Sequence, residues 1–227
     1  MVNITFMNAQ IIMQRIDALA QISEEDGRLT RRFATDAMRE ANEIVAEWMR
    51  AAGMTVRTDN IGNLIGRYEA SRPDAKTLLL GSHLDTVRDA GKFDGPLGVL
   101  VALACVERLH ARNERLPFAV EVIAFADEEG LRYGTSYLGS KLIAGTFEPQ
   151  QLDLLDRDGI PMREAIRSFG GDPAALDQDR YNRDDVLGYC EVHIEQGPVL
   201  QAHDLPIGVV ESIIGQSRIN VTFTGQA

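Results

Sequence analysis

The chain of 227 residues contains two cysteines, one tryptophan and four histidines. Two cysteines are too few for the disulfide framework that staples small secreted folds. Cys105 and Cys190 both lie in apolar runs and are expected as reduced core thiols. Basic charge is also short, with 23 Lys and Arg against 34 Asp and Glu, a formal net charge of −11. Nucleic acid and anionic membrane both need a basic surface, so neither is expected as a partner. The longest apolar stretch, around Gly95 to Cys105, is too short and too glycine-marked to span a bilayer. Met1 to Met13 lacks the basic start and hydrophobic block of a leader peptide, and a soluble cytoplasmic protein is the expectation. There are no internal repeats and no low-complexity segments.

What is present alternates between two periods. Apolar residues at helical spacing predict helices over Ala9 to Ile22 and Ala34 to Ala52, the second closed by Gly53. Thr55 to Thr58 and Asn63 to Tyr68 read as a hairpin joined by Asp59-Asn60-Ile61-Gly62. Continuous apolar runs at Thr77 to Gly81, Phe118 to Ala126 and Leu187 to Ile194 read as core strands. Helices are expected between them, at Gly95 to Leu109, Tyr137 to Ile143 and Pro161 to Phe169. This alternation predicts an α/β fold, a three-layer sandwich around a mostly parallel mixed sheet. Residues 1–210 are expected to form that domain. Residues 211–227, where Gln216 to Thr224 alternates like an exposed strand, are expected to begin a second, α+β lid domain that is cut short.

Histidine is scarce, so its contexts are informative. His83 lies in GSHLDT, two residues before Asp85, where a strand ends. One of the pair can ligate a metal while the other fixes the imidazole from behind. His193 lies in EVHIEQG, inside the third strand-like run. Asp94, in GKFDGPLG, can be a metal-bridging carboxylate or the N-terminal cap of the helix that Pro96 opens, and the two roles are compatible. Asp127-Glu128-Glu129 directly follows a buried strand, where three acids are costly unless cations or protons relieve them. Neighbouring residues at a strand end point in different directions, so one can bind metal while the next faces substrate. Two metals sharing one carboxylate need five protein ligands, and this chain offers four: His83, Asp94, Glu129 and His193. His110 and His203 lack such company and are given no role. Imidazole and carboxylate ligands suit zinc, manganese and cobalt.

Taken in order, GSHLDT, KFDGPLGV, FADEEG with YLGSK, and EVHIEQGPVL with GVVESIIGQ resemble the M20-type dinuclear metallohydrolases, from about Ile11 to Ala227. Within them the chain resembles the N-carbamoyl amidohydrolase branch, which comprises allantoate amidohydrolase, N-carbamoyl-L-amino-acid hydrolase and β-ureidopropionase. The resemblance implies two divalent ions, with His83 and His193 on one, Glu129 on the other and Asp94 bridging them. It implies that Asp85 orients His83, that Glu128 is the general base, and that Gln196 and Gln216 lie near the substrate. The implied substrate is a small ureido compound bearing a carboxylate, with allantoate the first choice and N-carbamoyl amino acids the alternative. A peptidase or deacylase on the same metal frame and a binding-only domain are the other classes. Family members continue for nearly as long again, so a homodimer is expected only of the longer form, and the 227 residues alone are expected to be weakly active or inactive.

Overall fold

A computed structural model describes residues 4–213, 219 and 221–225. The chain divides into two compact units, Met1–Ile194 and Glu195–Ala227. In the first, helix α1 (Ile4–Leu19) and helix α2 (Asp36–Ala51) precede a hairpin of β1 (Thr55–Thr58) and β2 (Leu64–Tyr68). Strand β3 (Thr77–His83), helix α3 (Pro96–Ala111), strand β4 (Ala119–Phe125), helices α4 (Leu138–Ile143) and α5 (Met162–Phe169), and strand β5 (Val186–Cys190) follow. Among its described residues the second unit contains one short helix, α6 (Val199–Ala202). The strand expected over Gln216 to Thr224 lies partly outside the described residues, and positions 219 and 221–224 carry no strand.

The elements form where local chemistry favours them. Thr35 caps α2 by accepting from the Met38 amide, Asp36 sits at the positive end of the helix and Arg50 at the negative end. One face of α2, with Met38, Ala41, Val45, Ala46 and Met49, is buried. The β1–β2 turn is built on the buried Asp59 carboxylate, which accepts from the amides of Ile61, Gly62 and Asn63 and from Asn63 Nδ2. Asn63 Oδ1 in turn accepts from the Ala126 amide at 2.8 Å, which fixes the chain where it leaves β4.

The five strands form one mixed sheet in the order β1-β2-β4-β3-β5. β1–β2 and β2–β4 pair antiparallel, whereas β4–β3 and β3–β5 pair parallel, so half of the four pairings are parallel rather than most. Every residue of β4 is buried, which the continuous apolar run anticipated. Its alternate residues serve two cores: Val120, Val122 and Ala124 pack with the buried faces of α1, α2 and α3, while Ile123 and Phe125 pack with Ile65, Leu79 and Ile143. A third cluster joins Ala126 to Leu138, Leu142, Met162 and Ile166 beneath the loops that follow β4. Because β3, β4 and β5 run the same way, their carboxyl ends share one edge of the sheet, where open α/β sheets bind ligands.

Two expectations need correction. β5 is an edge strand with a neighbour on one side only, and Leu187 and Tyr189 are about half exposed. Its pairing with β3 ends at Leu80↔Cys190, so His193 lies beyond the strand rather than inside it. Cys105 and Cys190 are free thiols, as expected, but both are exposed rather than in the core.

Asp59→Ala would leave three buried turn amides without their acceptor. It is expected to lower the free energy of unfolding by about 1–3 kcal/mol, read from urea denaturation, and an unchanged midpoint would contradict the turn's role.

Candidate metal centre

His83 is the last residue of β3, and its ring is 1% exposed. Its Nδ1 lies 2.9 Å from the Asp85 backbone oxygen, which makes Nδ1 the protonated nitrogen and leaves the Nε2 lone pair on the other side of the ring. That Nε2 faces Glu128 Oε2 at 3.8 Å. His193 repeats the arrangement, with Nδ1 3.0 Å from the Ile194 oxygen and Nε2 3.2 Å from Asp94 Oδ1. The two rings stack with centroids 5.8 Å apart and planes 25° apart.

Glycines make this approach possible. Gly95 has φ +86°, and a Cβ there would fall 2.5 Å from His83 Cε1, so the loop carrying Asp94 can lie against the imidazole only with glycine next to it. A Cβ on Gly98 would fall 2.3 Å from the Val192 oxygen, which lets the start of α3 sit against the segment bearing His193. Asp94 is not the helix cap that the sequence left open. Gly95 holds the cap position without a side-chain bond, and the Asp94 carboxylate is turned towards His193.

The third loop follows β4. Asp127 adopts left-handed backbone (φ 50°) and turns the chain so that the amides of Glu128 and Glu129 point back at β3. Asp85 receives both, at 3.1 Å on Oδ1 and 3.0 Å on Oδ2. The Asp85 carboxylate lies 3.6 Å from His83 Nδ1, farther than its own backbone oxygen. Asp85 therefore holds His83 mainly through its backbone and uses its side chain to anchor the Glu pair.

Ligand-type atoms converge in two overlapping groups, His83–Asp94–His193 and His83–Glu128–Glu129, each with its atoms within 4.8 Å of one another. All four residues proposed as ligands fall in these groups, and Glu128 falls in the second. Gln196 belongs to the second compact unit, where its φ is 56°, and Gln216 lies outside the described residues.

The electrostatics favour a cation. Burial alone would lower the His83 pKa, but the hydrogen bond and charge of Asp85, with the charge of Glu128, lift it to about 9. Burial pushes Glu129 up to about 7, opposed by His83 and reinforced by Glu128, Asp85 and Asp94. Burial likewise raises Glu128, against the pull of His83. Imidazole lone pairs facing carboxylates repel unless a proton or a metal ion lies between them. The donor set, nitrogen and oxygen without sulfur, fits zinc, manganese or cobalt.

Residues 79–226 match the model of a family described as "Peptidase family M20/M25/M40". The chain is 42% identical over 215 residues to a probable allantoate deiminase of Oryza sativa subsp. japonica, covering 93% of this chain and 44% of that protein. It is 41% identical over 217 residues to an N-carbamoyl-L-amino acid amidohydrolase of Geobacillus stearothermophilus, covering 95% and 53%. A crystal structure of a hydantoinase/carbamoylase family amidase from Burkholderia ambifaria superposes with a TM-score of 0.77 at 34% identity, covering 87% of this chain and 47% of that one. The chain thus spans about half the length of the curated relatives it matches.

The pKa shifts set the pH dependence of metal binding. His83 and Glu129 both have raised values in the folded, metal-free chain. The stability they contribute there is full below their unfolded values and is lost as pH rises through about 7 for Glu129 and about 9 for His83. A metal ion must displace the same protons. Calorimetric titration with Mn²⁺ is therefore expected to give a Kd at least about tenfold tighter at pH 8 than at pH 6, and a flat profile would contradict the proton count.

Proposed function

The chain belongs to peptidase family M20/M25/M40, and from that premise we propose that it carries the metal-binding part of an amidohydrolase that cleaves a ureido C–N bond, with allantoate as substrate. The observation that carries this reading is the pair of ligand groups sharing His83, with the adjacent Glu128 and Glu129 amides tied to one buried carboxylate. In this reading His83, His193 and Asp94 would hold one divalent ion, and Glu129 would help to hold a second. Zinc, manganese or cobalt would suit these nitrogen and oxygen ligands. When bound, such ions polarise a substrate carbonyl and make a nearby water easier to deprotonate.

The remaining work belongs to the chain. Glu128 is the general base. Its carboxyl is half-buried, faces His83 Nε2, and holds a proton more readily than an ordinary glutamate, which suits a group that must take a proton from water and return it to the leaving nitrogen. Asp85 keeps that carboxylate at its post through the Glu128 and Glu129 amides. Attack of water on the ureido carbon breaks one C–N bond as the departing nitrogen takes up the proton, and the carbamic acid that results loses carbon dioxide by breaking the second, so that allantoate and water give ureidoglycine, ammonia and carbon dioxide.

The similarity to the Geobacillus amidohydrolase is nearly as great as that to the Oryza deiminase, so N-carbamoyl-L-amino acids are the second substrate class. In the longer form, ammonia release from allantoate, compared with turnover of N-carbamoyl amino acids and dipeptides, separates these readings. Activity confined to dipeptides would overturn the ureido assignment. Glu128→Gln in the longer form is expected to lower kcat for the preferred substrate by about 10²–10⁴ with the metal content unchanged. A fall of only a few fold would remove Glu128 from the role of base.

A further inference from the structure

Arg31 sits in the polar stretch Thr30-Arg31-Arg32, yet its side chain is completely buried. Its guanidinium joins two elements. Nη1 donates to the Leu19 oxygen at 2.8 Å and to the Ile22 oxygen at 2.9 Å, closing the carbonyl end of α1 with a cation. Nε donates to the Leu84 oxygen at 2.7 Å. The Arg31 backbone completes the grip: its amide donates to Thr86 Oγ1 at 2.9 Å, and its oxygen accepts from the Thr86 amide at 3.0 Å. The residues before and after Asp85 are therefore both held by Arg31, and Asp85 in turn holds the amides of Glu128 and Glu129.

We propose that Arg31 is a positioning residue for the metal centre, locking the Leu84–Thr86 segment so that His83, Asp85 and the Glu128–Glu129 loop keep their mutual geometry. The inference rests on the metal-binding reading above. An arginine kept only to cap α1 would have no reason to aim Nε at the residue before Asp85, where its own backbone already pairs with the residue after it. Burial pulls the guanidinium down to about 10, against the opposing charge of Asp85, which leaves it cationic at neutral pH. Arg132, also little exposed, is directed instead at Asp156 and at the Phe33 and Ala34 oxygens.

The test compares the chain with Arg31→Lys, Thr86→Val and Val45→Ala by Mn²⁺ calorimetry at pH 8, each first shown folded by circular dichroism and thermal melting. Lysine keeps the charge but cannot serve Leu19, Ile22 and Leu84 together. Valine at position 86 removes only the hydroxyl that Arg31 engages. Val45→Ala, in the α2 core, reports loss of stability alone. Arg31→Lys is expected to weaken the Mn²⁺ Kd by about 10–100-fold and Thr86→Val by a smaller factor, with Val45→Ala within twofold of wild type. Folded Arg31→Lys and Thr86→Val proteins that bind within twofold of wild type would overturn the positioning role while leaving the metal site intact. A wild-type chain that binds no Mn²⁺ would instead overturn the metal-binding reading itself, and this proposal with it.

Discussion

The structure turns on two imidazoles whose Nδ1 atoms are committed to backbone oxygens and whose Nε2 lone pairs face carboxylates. That arrangement is repulsive unless a proton or a metal ion lies between each pair. Most features around it follow from the need to bring the four segments close. Gly95 and Gly98 lack the side chains that would strike His83 and the Val192 oxygen, and Asp127 turns left-handed so that two successive amides face Asp85. The sheet supplies direction, since three strands running in parallel deliver the segments to one edge.

Asp85 and Arg31 show how position is transmitted inward from that edge. A metal ligand on a loop would wander. Here the loop after β3 is held by a buried arginine, and the loop after β4 is held by a carboxylate on the first loop. The general base of the proposed reaction is thus fixed through backbone amides rather than through its own carboxylate, which remains available for proton transfer.

Much of this was legible in the sequence because it depends on short-range order. The continuous apolar run ending in FADEEG marks a buried strand followed by an acidic turn, and β4 is buried throughout. His83 at the end of its strand was readable for the same reason, since a strand buried on both faces must stop where polar residues begin. His193 was misplaced inside a strand because apolar content cannot distinguish a central strand from an edge strand, and β5 pairs on one side only. The alternative roles of Asp94 separated only in three dimensions, because a cap and a ligand can share one local sequence. Arg31 carried no sequence signal: its partners lie 9 to 55 positions away, and a basic residue in a polar stretch normally marks solvent.

The most direct test is an anomalous difference map from crystals grown with manganese or zinc, recorded at the absorption edge of the ion. The account predicts a peak between Asp94 and the Nε2 atoms of His83 and His193, with Glu129 close enough to take a second ion. An ion bound elsewhere, with no density between those residues, would contradict it.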